Sequence, residues 1–267
     1  MKKLFWVAVI TAFAAACKNN DKPTTGDDNN NDTGIAPQPM SYSIATVFPH
    51  DTSSYTQGLI IYKGDMYEGT GVVGKSKLMK VDLQTGKALQ TRKLDEKYFG
   101  EGITILNDTI YQLTWQDHVV FVYSLKDFKL LKEFPLDTDG WGITTDGKEL
   151  MVSDGTSNLN FYEPGTFKKI RTVSVTESGN LVNNVNELEY INGFVFANQY
   201  QSDYILKIDP VTGVVVAKAD FKQLGDTVRA KYPWVDFFNG IAYDAATKKI
   251  YVTGKDWPEL YEVQFGQ

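Results

Sequence analysis

Gln57-Gly58-Leu59 opens a strand-like run, and its pattern returns four more times along the chain. Each copy has a polar or aromatic residue first, usually a glycine second, and a leucine or isoleucine third. The first residues are 44, 40, 45 and 53 positions apart, and a period of about 45 residues with several short strands per unit is typical of a β-propeller. The later copies are Glu101-Gly102-Ile103, Trp141-Gly142-Ile143, Asn186-Glu187-Leu188 and Asn239-Gly240-Ile241.

Each repeat contains enough strand-like segments for a four-stranded antiparallel blade. A second strand follows the first after a short polar turn, and a second hairpin is indicated by turns such as Asp82–Gly86 and Asp209–Gly213. The aligned second strands are Met66–Gly71, Ile110–Trp115, Leu150–Gly155, Val195–Tyr200 and Ile250–Lys255.

The fifth repeat has one strand fewer and ends in Leu260–Phe265. Tyr42–Phe48, at the other end of the chain, can supply the missing strand and so remove an open sheet edge. We therefore predict an all-β, five-bladed β-propeller with four-stranded antiparallel blades, whose ring is closed by the N-terminal strand. The longest spacing between repeats carries an insertion, Phe221–Val235, whose pattern permits a short helix.

The first 17 residues have the features of a bacterial lipoprotein signal peptide. Two lysines precede the apolar run Leu4–Ala16, and small residues come directly before Cys17. An ordinary signal peptide with a chance cysteine nearby is the alternative. Residues 18–40 are polar and predict a disordered tether, which leaves residues 41–267 for the propeller. We expect an exported protein that is lipid-anchored through Cys17 to the bacterial cell envelope, on the periplasmic side or the cell surface.

The composition argues against some partners. The formal net charge is −6 and no basic stripe is visible, so nucleic acid is not an expected partner. With two histidines and one cysteine, a zinc site of the usual ligand types is not expected. We expect a monomer that meets the membrane through its lipid anchor only.

The first residues of the repeats should meet at one mouth of the central channel, because the innermost strands of a propeller run along it. The ends of the second strands join them there only if the strand register brings those ends to the same mouth. The combined set, with polar groups converging between apolar walls, resembles a ligand pocket. It comprises Gln57, Glu101, Trp141, Asn186 and Asn239 from the first strands, and Gly71, Trp115, Gly155, Tyr200 and Lys255 from the second.

These residues lie in motifs that resemble the plant and bacterial glutaminyl cyclases, the papaya-type glutaminyl-peptide cyclotransferases. The resemblance covers essentially all of Tyr42–Gln267 and implies a five-bladed propeller, which agrees with the repeat count. The motifs are Tyr55-Thr56-Gln57-Gly58-Leu59, Gly100-Glu101-Gly102-Ile103-Thr104, Leu113-Thr114-Trp115, Gly140-Trp141-Gly142, Asn186-Glu187-Leu188-Glu189 and Thr253-Gly254-Lys255-Asp256-Trp257-Pro258.

The resemblance implies a reaction in which an N-terminal glutamine attacks its own γ-carboxamide with its α-amine, forms pyroglutamate and releases ammonia. It implies four catalytic residues: Glu101 for the family's central acid, Lys255 for its lysine, and Gln57 and Asn186 for its channel amides.

The resemblance also implies an aromatic pocket for substrate. Two positions depart from the family pattern, because a family tryptophan falls at Tyr200 and a family phenylalanine at Tyr55. The substrate-binding candidates are Trp115, Trp141, Tyr200, Tyr55 and Phe99, to which the repeat pattern adds Asn239.

The chemistry suits these groups. An α-amine has a pKa of about 7.7–8.0 and is mostly protonated near neutral pH, so Glu101 can act as a proton shuttle, first as general base and then as general acid. Lys255 with Asn186 or Gln57 can stabilise charge on the carbonyl oxygen. No cofactor is required by this scheme, and a structural Ca²⁺ in the central channel is compatible with it.

Two other functions stay open at the level of sequence. A calcium-dependent propeller hydrolase, such as a lactonase, would use Glu101, Asn186 and Asn239 as ligands, although calcium sites usually gather more carboxylates. A non-catalytic binding propeller on the cell surface would bind peptides with N-terminal glutamine without converting them.

Overall fold

The computed structural model describes residue 34 and residues 36–266. The predicted signal peptide, Cys17 and most of the predicted tether lie outside the described residues. The end of the predicted tether is part of a sheet: Gln38–Pro39 pairs in parallel with the outer strand Val215–Asp220, and Met40 donates a backbone hydrogen bond to Lys218. Contact with the propeller therefore begins a few residues before the predicted boundary at residue 41.

Five four-stranded antiparallel sheets form the body of the domain, and their inner strands contact one another in cyclic order. The predicted five-bladed propeller is confirmed. From inner to outer strand, blade 1 is Thr56–Tyr62, Asp65–Thr70, Lys77–Val81 and Ala88–Lys93; blade 2 is Gly100–Leu106, Thr109–Thr114, Val119–Ser124 and Leu130–Pro135; blade 3 is Ile143–Thr145, Leu150–Ser153, Asn158–Tyr162 and Lys169–Ser174; blade 4 is Val185–Ile191, Phe194–Gln199, Tyr204–Ile208 and Val215–Asp220; blade 5 is Phe238–Asp244, Lys249–Gly254, Glu259–Phe265 and Tyr42–Pro49.

The ring is closed as the sequence predicts. Tyr42–Pro49 pairs antiparallel with Glu259–Phe265 and completes blade 5. Just after the closing strand, the buried His50 donates to the Trp257 carbonyl at 2.6 Å and to the Glu68 carboxylate of blade 1 at 3.1 Å. The closing strand is thus joined to both the last blade and the first.

The glycine of the repeat lies where inner strands of neighbouring blades approach each other closely. A Cβ atom on Gly58 would lie 2.4 Å from the backbone nitrogen of Ile103, and one on Gly142 would lie 2.1 Å from the carbonyl oxygen of Asn186. At the same point the pairing of first and second strands shifts register in blades 1, 2, 4 and 5. Such β-bulges redirect side chains, and here they lie at the residues that face the channel mouth.

The fourth repeat departs from glycine for a reason that the structure shows. Its Glu187 is 1% exposed, and its carboxylate accepts hydrogen bonds from the backbone nitrogens of Leu59 at 3.2 Å and Ile241 at 2.9 Å. These two residues follow the repeat glycines of blades 1 and 5. A side chain at the glycine position of blade 4 therefore links the inner strands of three blades.

The insertion before blade 5 contains the predicted short helix, α1 (Lys222–Lys231). Its apolar residues Leu224 and Val228 are buried with Phe221, whose ring stacks on Tyr42 at 3.9 Å between centroids. Within the described part of the chain, no helix has the length and apolar character needed to cross a bilayer. A further two-stranded ribbon, Thr176–Glu177 with Asn180–Leu181, lies between blades 3 and 4 in the chain.

Candidate active site

A cavity of about 210 Å³ opens at one mouth of the channel. Nine of the ten catalytic and substrate-binding candidates line it, and the second-strand ends share this mouth with the starts of the first strands. The register question that the sequence left open is thereby answered. The lining residues are Tyr55, Gln57, Phe99, Glu101, Trp115, Trp141, Asn186, Tyr200 and Lys255.

The tenth candidate, Asn239, lies behind the cavity wall and is fully buried. Its side-chain oxygen accepts a hydrogen bond from the amide of Asn186 at 3.0 Å, and its own amide donates to the carbonyl of Thr56 at 2.9 Å. Asn239 therefore holds the residues that line the cavity and does not itself face it.

Two glycines at the ends of second strands make room for the aromatic walls. A Cβ atom on Gly71 would lie 2.4 Å from the ring of Phe99, and one on Gly155 would lie 2.4 Å from the ring of Trp141. Larger residues at these positions would displace the rings. Gly71 and Gly155 thus contribute to the site because their lack of a side chain leaves space for these rings.

Gln57 links the acid and the lysine. Its side-chain oxygen accepts a hydrogen bond from the Lys255 ammonium at 2.7 Å, and its amide nitrogen donates to the Glu101 carboxylate at 3.2 Å. The two contacts fix the orientation of the Gln57 amide. They also place a neutral group between the positive and negative side chains.

Burial raises the pKa of Glu101 well above its ordinary value; Lys255 opposes this rise and Asp139 adds to it. The side chain is 5% exposed, and within the described residues Gln57 is its one side-chain hydrogen-bond donor. A carboxylate has about four acceptor positions, so Glu101 keeps the capacity to exchange a proton with a molecule in the cavity.

Lys255 is 2% exposed, and burial lowers its pKa to about 8, against the opposing effects of Glu101, Asp236 and Asp256. Its ammonium lies 4.4 Å from the ring centre of Tyr55 and 5.3 Å from that of Tyr200. Cation–π contacts of this kind stabilise an ammonium that has left water. An acid with a raised pKa beside a lysine with a lowered pKa is typical of active sites.

Edge-to-face contacts join the aromatic walls on both sides of the cavity. Phe99 contacts Tyr55 and Trp115, with ring centres 6.3 and 5.7 Å apart. On the other side, Tyr200 contacts Trp141 at 5.4 Å and Phe237 at 5.1 Å. The tyrosines at the two departures from the family pattern therefore remain part of continuous aromatic walls.

Three contributors to the site were missed in the sequence: Asp139, Asp236 and Phe237. Asp139 and Phe237 each stand two residues before a repeat's first residue, as do Tyr55 and Phe99. That shared offset is a signal that would have found them. Asp236 directly follows the insertion Phe221–Val235 and stands at an offset that carries no repeat signal.

No group of three or more histidine, cysteine, aspartate or glutamate side chains that could hold a metal ion occurs within residues 36–266. The candidate ligands named for the calcium alternative contain one carboxylate, that of Glu101, with the amides of Asn186 and Asn239.

The fold and the cavity together define a propeller with an enzyme-type site, in which an acid and a lysine face a small aromatic pocket. Comparison with known proteins gives the family. Residues 8–265 match the family model described as glutamine cyclotransferase. A glutaminyl-peptide cyclotransferase from Arabidopsis thaliana is 40% identical over 227 residues, which cover 84% of this chain and 71% of that protein.

A solved structure agrees with this result. The crystal structure of Myxococcus xanthus glutaminyl cyclase superposes with a TM-score of 0.81 at 32% identity, over 86% of this chain and 98% of that one. The chain belongs to the glutamine cyclotransferase family, and the family predicted from its motifs is confirmed.

Proposed function

We propose that this protein is a glutaminyl-peptide cyclotransferase that converts the N-terminal glutamine of peptides to pyroglutamate with release of ammonia. The observation that carries the proposal is the buried pair of Glu101 and Lys255, bridged by Gln57 at the cavity. The cavity has a volume of about 210 Å³. That space suits one terminal residue, with the rest of the peptide outside.

Glu101 moves the proton. As a carboxylate it removes a proton from the substrate's α-ammonium, and the free amine then attacks the γ-carbonyl carbon. Attack leaves one extra proton on the α-nitrogen. The same carboxyl group next protonates the leaving nitrogen, so that ammonia departs. The restored carboxylate then takes the extra proton from the ring nitrogen and passes it to ammonia or solvent. A pKa raised by burial suits both steps, because general acid–base catalysis is most efficient when the group's pKa lies near the working pH.

Lys255 stabilises the negative charge that develops on the γ-carbonyl oxygen. A buried ammonium does this more effectively than one in water because the local dielectric constant is low. Each amide –NH2 group has two hydrogens, so Gln57 and Asn186 each keep one N–H beyond the hydrogen bonds already described. Those hydrogens can orient the carboxamide.

The aromatic walls hold the substrate folded for ring closure. The nucleophile and the electrophile belong to one residue, so correct orientation supplies much of the rate acceleration. Trp115 is 39% exposed at the edge of the cavity and can also contact the next residue of the peptide. Tyr55, Phe99, Trp141 and Tyr200 complete the walls.

The test is ammonia release from a glutamine-initiated dipeptide, with the N-acetylated dipeptide as matched control. We expect release from the free dipeptide and none from the acetylated one, because the α-amine is the nucleophile. Equal release from both would indicate simple amide hydrolysis and would contradict the proposal. Binding of the free dipeptide without release would favour a non-catalytic binding propeller.

We also propose that the protein is exported and anchored through lipids on Cys17 to the bacterial cell envelope. The support is the sequence pattern of residues 1–17 and the polar segment that follows. Fractionation of a bacterial host that expresses the full chain tests this. We expect Cys17→Ser to move the protein out of the membrane fraction; retention of the variant in that fraction would contradict lipid anchoring.

A further inference from the structure

The ammonium of Lys255 is held by two aromatic rings and one neutral amide. Its hydrogen bond goes to Gln57 at 2.7 Å, and the nearer of the two rings is that of Tyr55, 4.4 Å away. Cation–π attraction depends on distance and on where the cation lies over the ring face. The placement of Tyr55 therefore affects how well the site supports a charged lysine.

Asp236 contacts both partners of this interaction. Its Oδ2 accepts a hydrogen bond from the Tyr55 hydroxyl at 2.9 Å. Its backbone nitrogen donates to the carbonyl of Lys255 at 2.9 Å, and the backbone nitrogen of Lys255 donates to the carbonyl of Phe237 at the same distance. One residue thus fixes the ring through its side chain and the lysine through its backbone.

Asp236 is itself held in one orientation. Its Oδ1 accepts a hydrogen bond from the backbone nitrogen of Phe237 at 2.7 Å, and its carbonyl accepts one from the indole of Trp257 at 2.9 Å. With both carboxylate oxygens and both backbone groups engaged, the side chain has little freedom to release Tyr55.

From these contacts we infer that Asp236 is a positioning residue for the cyclisation, an inference that rests on the proposed function. It holds the Tyr55 ring against the Lys255 ammonium, and its negative charge favours the charged form of that lysine. A tyrosine hydroxyl that donates to a carboxylate also carries more electron density into its ring, which strengthens the attraction for a cation.

The charged groups around Lys255 show in which direction the loss of Asp236 would shift the lysine pKa. The acidic groups that act on it are Glu101, Asp236 and Asp256, all of which favour the ammonium, while burial disfavours it and lowers the lysine pKa to about 8. The rings of Tyr55 and Tyr200, whose hydroxyls are titratable, also face it. Burial and the bond to Asp236 raise the pKa of Tyr55, so its hydroxyl keeps its proton. Loss of the Asp236 charge would lower the pKa of Lys255 further.

The experiment measures kcat and KM for a glutamine-initiated dipeptide as a function of pH in Asp236→Asn, Tyr55→Phe and wild type. The matched control is Tyr162→Phe, because the Tyr162 hydroxyl also donates to a carboxylate, that of Asp137, and neither residue lines the cavity. We expect kcat to fall about three- to tenfold in Tyr55→Phe, as for one lost hydrogen bond. KM should change little, and the alkaline limb of the kcat profile should move to lower pH.

Asp236→Asn should move the alkaline limb in the same direction and further, while Tyr162→Phe should leave it in place. Unshifted limbs in both site variants, with the wild type active, would overturn the inference and leave the proposed function intact. An equal shift in Tyr162→Phe would also overturn it. Tyr55→Phe removes a single oxygen atom, so its pH profile alone tests the inference if Asp236→Asn does not fold. An inactive wild type would be a failure of the proposed function itself.

Discussion

Glu101 and Glu187 are both buried carboxyl groups on inner strands, but their surroundings differ. Burial raises the pKa of Glu187 to about 8, against two backbone N–H groups that stabilise the carboxylate. Those groups come from blades 1 and 5 and occupy both oxygens. Glu101 has one amide donor, Gln57, and faces the cavity. A raised pKa is thus common to a structural and a catalytic carboxyl group, and access to the cavity together with free acceptor positions distinguishes them.

The largest effect should come from Glu101→Gln. Glutamine keeps the size of the side chain but cannot take up and return a proton, so turnover should fall by at least about 10²-fold. The thermal unfolding midpoint should not fall, because no buried charge is introduced. Turnover would be measured by ammonia release and unfolding by circular dichroism. Activity close to wild type would show that Glu101, like Glu187, is not a catalytic carboxyl group.

Lys255→Ala should lower kcat by about 10²-fold, the cost that is typical for one lost group that stabilises an oxyanion. The reason is loss of charge stabilisation, with the proton path through Glu101 still present. The pH profile of the variant should therefore retain its acidic limb. A variant in which KM rises while kcat is unchanged would show that Lys255 acts in binding alone.

Glu187→Gln should change the pH dependence of the free energy of unfolding more than it changes kcat. Below the ordinary glutamate pKa, folded and unfolded states both keep the proton, so the contribution of Glu187 is fully present. As pH rises from there to about 8, only the unfolded state ionises, and stability falls by an amount on the order of 4 kcal/mol.

The measurement is the urea unfolding free energy at pH 5 and pH 8. The variant should lose less stability between the two values than wild type does, while at pH 5 it should be the less stable protein because glutamine offers one acceptor for two backbone N–H groups. An equal loss in both proteins would contradict a raised Glu187 pKa. A fall in kcat as large as that of Glu101→Gln would contradict its structural role.

The smallest effect should come from metal removal. No step of the proposed reaction needs a cation, because Lys255 supplies the positive charge. Dialysis against EDTA should therefore leave ammonia release unchanged, and added Ca²⁺ should not raise it. Loss of activity with EDTA and its return with Ca²⁺ would favour the calcium-dependent alternative.

Much of the fold could be predicted from the sequence because the sequence repeats one pattern five times. The X-Gly-Leu/Ile motif marks the start of four of the five inner strands, because glycine leaves room where neighbouring blades meet, as at Gly58 and Gly142. The three-stranded last repeat likewise predicted closure by Tyr42–Phe48. The same spacing placed seven of the nine candidate residues that line the cavity, because equivalent positions of a propeller converge on its axis. The other two, Tyr55 and Phe99, were named from the family resemblance.

The features that the sequence could not predict depend on tertiary contacts that the repeat pattern does not specify. Asn239 occupies a repeat position, yet its amide turns to Asn186 and Thr56 behind the cavity wall. Asp236 directly follows the insertion Phe221–Val235, outside the repeat positions, and acts through Tyr55. The sequence alone could not reveal why Glu187 replaces a glycine, because its backbone partners Leu59 and Ile241 are more than fifty residues away in either direction.

The most direct test of the account is the pH dependence of kcat in wild type, Glu101→Gln and Glu187→Gln, on one glutamine-initiated dipeptide. We predict an acidic limb in wild type and Glu187→Gln that is absent from Glu101→Gln, because Glu101 must give up its proton before it can serve as the base. An acidic limb that persists unchanged in Glu101→Gln, at near wild-type turnover, would contradict the assignment of Glu101 as the proton shuttle.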